Sequence, residues 1–89
     1  MRVSNKNARR FVQDRKPFIA NNLFAEYDKH NRYIVFSYGH HWPLLMFSNG
    51  NWYKNISKYS PTTSKHLSQT TPYGVECIEV TKNEMPYYV

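Results

Sequence analysis

The chain has 89 residues, 40% of them hydrophobic and 20% charged, with a formal net charge of +6; this suits one small domain and excludes a two-domain enzyme. Its single cysteine, Cys77, excludes an intrachain disulfide and a cysteine-based zinc finger, and points to a reducing, intracellular compartment. No apolar run approaches the roughly 18 residues of a membrane span, and no hydrophobic stretch follows the charged start, so neither a membrane partner nor a signal peptide is expected.

Aromatic residues make up 17% of the chain, as eight Tyr, five Phe and two Trp. Each buries about 150 to 250 Å², so a few of them can hold together a small core that is short of Leu and Val. The charge is uneven: residues 1–16 carry a net +5, residues 17–73 a net +3, and the remainder a net −2. Residues 1–16 therefore read as a basic N-terminal arm ahead of a β-rich domain over 17–89. Basic side chains on such an arm can condense onto a phosphate backbone with release of counterions.

In chain order, residues 8–14 have material for one or two helical turns, but Pro17 follows closely, so this stretch is either a short helix or part of the arm. Residues 23–28 have strand composition, Lys29-His30-Asn31 makes a hairpin loop, and residues 32–38 form a nearly continuous β-branched and aromatic run. That run is expected to be a central strand covered on both faces. Gly39-His40-His41 turns into a strand over 42–48 with Pro43 near its start, where the missing N–H is tolerated. Asn49-Gly50-Asn51 supplies the positive φ of a tight hairpin, and residues 52–57 return, with Trp52, Lys54 and Ile56 on one face and Tyr53 and Asn55 on the other. Ser60 followed by Pro61 is an N-cap and first-turn pair for a helix near 61–69, which ends before Pro72. Residues 75–80, with period-two character, are expected to form a final strand. The expected fold class is α+β, mainly β: a single antiparallel sheet of four to five strands in a meander, with one short helix.

Two stretches carry a family likeness: Ser37-Tyr38-Gly39-His40-His41-Trp42-Pro43, and Trp52-Tyr53-Lys54-Asn55 running on to Tyr59-Ser60-Pro61-Thr62-Thr63-Ser64-Lys65-His66. The pairing resembles a family of small, uncharacterised bacteriophage proteins with Ser-Tyr-Gly-x-His-Trp/Tyr-Pro, Trp-Tyr-x-Asn and Tyr-Ser-x-Thr-Thr-Ser-x-His motifs. It covers roughly residues 17–72. The resemblance implies a phage origin and expression in a host bacterium; it implies no activity and no catalytic residue.

For chemistry, His30, His40, His41 and His66 lack the Cys-x-x-Cys or His-x-x-x-His spacing of a zinc site, so no metal or other cofactor is expected. Ser60 or Ser64 beside His66 suggests an activated nucleophile, but nothing marks an oxyanion hole or an orienting acid. The alternative is structural, with Ser60 as cap, Thr62 and Thr63 in the first turn and His66 one turn along. No enzyme is expected. Aromatics interleaved with cations are the stronger signal, since bases stack on rings while Lys and Arg follow phosphates. Arg9, Arg10, Arg15, Lys16, Arg32, Tyr53, Lys54, Lys58, Tyr59 and Lys65 are the candidate binding residues, the last group beside the helix start, where backbone N–H groups favour an anion. DNA or RNA is the expected partner. A host protein such as a nuclease, polymerase or defence complex is the alternative, with exposed Tyr and Trp as anchors, and a minor virion component is a third reading.

Overall fold

A computed structural model describes residues 2–58 and 60–85. Six strands form one sheet among the described residues: β1 (Phe18–Ala20), β2 (Leu23–Tyr27), β3 (Tyr33–Ser37), β4 (Pro43–Ser48), β5 (Asn51–Asn55) and β6 (Cys77–Val80), in spatial order 1-2-3-4-5-6. The first five are an antiparallel meander. Two helices, α1 (Ala8–Gln13) and α2 (Pro61–Thr70), complete the fold.

The sheet corrects the expected four to five antiparallel strands in two places. β1 is an added strand of only three residues, too short to show a period in sequence. β6 lies parallel to β5, with Trp52 opposite Cys77 and Asn55 opposite Val80. The parallel pairing follows from connectivity: α2 carries the chain back along the sheet, so β6 starts from the same end as β5.

Alternation sorts the side chains onto two faces. Phe18, Ala20, Leu23, Ala25, Tyr33, Val35, Leu45 and Trp52 share the helix-covered face with Ala8 and Val12 of α1 and partly buried Leu67 of α2. A bulge between Val35 and Phe36 pairs them with Leu45 and Pro43, so Leu44 is the extra residue and it too enters this core. On the opposite face Met46, Tyr53, Val80 and Met85 form a second, smaller cluster against Ile34. β3 is buried over four of its five residues, as expected of a central strand.

The basic N-terminal stretch is built into the domain. A single 3₁₀ turn (Asn5–Asn7) leads into α1, and Ala8 and Val12 are fully buried. The Asn49-Gly50 hairpin forms as read, with both residues at positive φ (52° and 80°).

The Ser60 cap is also present: its Oγ accepts from the Thr63 N–H at 3.1 Å, with Pro61 in the first turn. Ser60→Ala is expected to cost about 0.5–2 kcal/mol, read as a lowered urea midpoint with an unchanged slope. An unchanged midpoint would mean that water replaces the cap at no cost.

Candidate functional site

The cations near the N-terminus separate into engaged and open groups. Arg9 is spent inside the protein: its guanidinium donates to the Thr71 carbonyl at 2.9 Å, to the Ser68 carbonyl and to the Tyr73 hydroxyl, and stacks over the Tyr73 ring at 4.1 Å. It thereby satisfies carbonyls at the C-terminal end of α2, where a positive charge is favoured. Arg10 and Lys16 are exposed and line one shallow hollow with Phe11 and Asp14. Arg15 lies over the Phe47 ring at 4.4 Å, and its carbonyl accepts from the Tyr27 hydroxyl at 2.7 Å. The Lys16 carbonyl accepts from the buried Tyr33 hydroxyl at 2.9 Å. These bonds fix the end of α1 to the sheet, so the three cations stand on a rigid edge.

The remaining candidates differ in the same way. Arg32 and Asp28 form an ion pair at 2.6 Å. Burial works to raise the Asp28 pKa, but hydrogen bonds from Arg32 and from the His30 N–H, with the Arg32 charge, hold it below the ordinary carboxylate value. Lys54 faces Glu79 at 3.7 Å. Lys58 joins Lys54, Ser57, Thr63 and Ser64 around a cavity of about 200 Å³ between β5 and α2, while Lys65 is exposed on α2. Tyr53 is buried in the second cluster, where its ring offers no free face to a base. Tyr59 lies outside the described residues.

A second constellation is buried, and it unites residues the two motifs contain. Ser37 at the end of β3 bonds the His66 ring, with Oγ 2.8 Å from Nδ1, and approaches Thr63 Oγ1 at 3.5 Å. The Ser60 hydroxyl donates to Thr63 Oγ1 at 3.1 Å, and the Thr70 hydroxyl donates to the His66 carbonyl at 2.8 Å. Of the first-turn pair, Thr63 is the buried member and Thr62 faces out. Burial first, then the Lys65 charge, holds the His66 pKa below the usual imidazole value. Ser37 and His66 have the composition of a nucleophile and base, yet Ser37 has no exposed surface for a substrate to reach.

Ser37 enters the sequence reading only as the first residue of a motif, because nothing local distinguishes a buried hydroxyl from a surface one. Comparisons with known protein families, curated proteins and solved structures give no match to this chain.

Proposed function

We propose that the protein is a non-catalytic nucleic-acid-binding protein of bacteriophage type, acting in the host cytoplasm, that holds DNA or RNA through phosphate contacts. The observation that carries this reading is the pair of exposed cations Arg10 and Lys16 around one hollow at the end of α1, with Asp14 in the same hollow and Arg15 next to Lys16 in sequence. Cations held on a fixed edge lose little freedom when they meet a phosphate backbone. Exposed Lys58 and Lys65 add charge near α2. Because Tyr33 and Tyr53 are buried, the reading rests on phosphate contacts rather than on a stacking platform.

Titration of labelled duplex and single-stranded oligonucleotides across salt concentrations tests it. Affinity is expected to fall steeply with salt, and Arg10→Ala with Lys16→Ala to shallow the logarithmic slope by roughly 1.4 to 1.8, at about 0.7 to 0.9 per phosphate contact. Thermal stability of that double variant should be unchanged, since both side chains are exposed. Absence of binding at low salt would overturn the proposal.

A second reading, a modulator that docks on a host protein, draws on apolar side chains exposed at the two edges of the sheet face opposite the helices, Ile19 on β1 at 54% and Ile78 on β6 at 44%. A pull-down from host lysate with and without nuclease separates the two, because a protein partner survives removal of nucleic acid.

A further inference from the structure

His66 is 4% exposed and stands where the 3₁₀ turn, the β1–β2 turn, β3 and α2 meet. Its protonation state is fixed by a chain of bonds that begins at main-chain atoms. The Asn5 Oδ1 accepts from the Asn21 N–H at 2.9 Å, and the Asn5 Nδ2 donates to the Asn21 carbonyl at 3.1 Å. A main-chain N–H only donates and a carbonyl only accepts, so these two bonds set the orientation of the amide. The same Nδ2 approaches His66 Nε2 at 3.4 Å. Nε2 must therefore present its lone pair, which leaves the proton of the neutral ring on Nδ1, donated to Ser37 Oγ at 2.8 Å.

A proton gained at Nε2 would set N–H against NH₂. Turning the Asn5 amide to offer its oxygen would break both bonds to Asn21, so neither arrangement of the amide accommodates the charged ring. The surroundings give no compensation. Lys65 neighbours His66 on α2, Lys6 follows Asn5 in the 3₁₀ turn, and Arg9 reaches from α1 to the Ser68 and Thr71 carbonyls at the C-terminal end of α2. β3 contributes the neutral Ser37, and Tyr38 follows with its ring 5.8 Å from the imidazole. The segments Asn5–Asn7, Ala8–Gln13, Tyr33–Ser37 and Pro61–Thr70, together with Asn21 and Asn22, contain no Asp or Glu.

We propose that His66 is an acid-sensitive latch: its neutral ring ties the 3₁₀ turn to β3 and α2, and a proton taken from solvent at Nε2 releases that turn and its bonds to Asn21, while the sheet stays folded and the β1–β2 turn stays held by the Ala20–Leu23 pairing and by the Tyr38 N–H bond to the Asn22 carbonyl. The sign follows from the folded protein holding His66 below the 6.5 of a free imidazole. Above pH 6.5 the latch contributes in full. As pH falls from 6.5 through the folded-state value, the contribution is lost.

Nitrogen NMR of the ring and amide hydrogen exchange test this on the wild-type chain. At neutral pH the ring should be the Nδ1–H tautomer. The protection factor of the Asn21 amide should fall about tenfold or more as His66 titrates, while amides of β3 and β4 keep theirs. Asn5→Asp offers a carboxylate to Nε2–H, so in that variant His66 should titrate above 6.5 and Asn21 should be better protected in acid than at neutral pH. An Nε2–H tautomer in the wild type, His66 titration without change at Asn21, or an unmoved titration in Asn5→Asp would each overturn the latch. Should Asn5→Asp fail to fold, the tautomer and exchange of the wild type decide alone.

Discussion

Trp52→Ala is expected to cost about 3–5 kcal/mol of folding free energy, against a total of roughly 4–13 kcal/mol for a chain of this size. Trp52 is 5% exposed and holds three strands at once. Its ring meets Tyr33 of β3 edge-on at 6.2 Å and Phe47 of β4 at 5.1 Å, and its backbone pairs with Cys77 of β6. Truncation removes both ring contacts and leaves a void that the helix-covered face cannot close, because Tyr33 is held by its hydroxyl bond to Lys16 and the β5 backbone by its ladders on both sides. The melting temperature should fall by on the order of 15–35 °C, and Trp52→Phe, which keeps a ring in place, by less than half as much. A loss under about 1 kcal/mol in Trp52→Ala would mean that this face repacks freely, as surface sites do.

How much of this fold the sequence carried depended on how local each signal was. β3, β4 and β5 were readable because apolar runs bounded by Asn49-Gly50 and by the Lys29–Asn31 loop leave few other arrangements. The Ser60-Pro61 start of α2 was readable for the same reason, since cap and first turn lie within four residues. β1 was not, because three residues carry no period, and the parallel β5–β6 pairing was not, because its register depends on where a ten-residue helix returns the chain. Among the candidate site residues, positive charge was visible but its partners were not. Arg9 is 62 and 59 positions from the Thr71 and Ser68 carbonyls it caps, and Lys54 is 25 positions from Glu79. Tyr53 and Tyr33 read equally well as exposed or buried, since a period of two fixes which residues share a face but not which face is covered. The buried polar corner was hidden most fully: Asn5, Ser37 and His66 come from three distant segments, and only the packed structure brings them together.

The same distinction decides the outcome at Asn55. Asn55 is 1% exposed, its Nδ2 donates to the Pro43 carbonyl at 2.7 Å, and its Oδ1 accepts from the Ser57 N–H at 2.9 Å. One side chain thus serves the start of β4 and the chain leaving β5, where a main-chain ladder no longer supplies partners. Asn55→Ala strands both groups, and at about 1–3 kcal/mol for each buried polar group left without a partner it should cost roughly 2–6 kcal/mol. Asn55→Asp separates the donor from the acceptor. It keeps an oxygen for Ser57 but sets a carboxylate against the Pro43 carbonyl at a position only 1% exposed, so at neutral pH it should be less stable than Asn55→Ala. Its folded-state pKa must then stand above the ordinary 3.9 of an aspartate. By linkage the variant should gain stability as pH falls through that raised value, when the protonated acid can again donate to Pro43. Urea denaturation at pH 7 and pH 4.5 measures it: Asn55→Asp should recover relative to Asn55→Ala at the lower pH. Equal midpoints for the two variants at both pH values would show that water reaches this corner and that Asn55 is not the joint between β4 and β5.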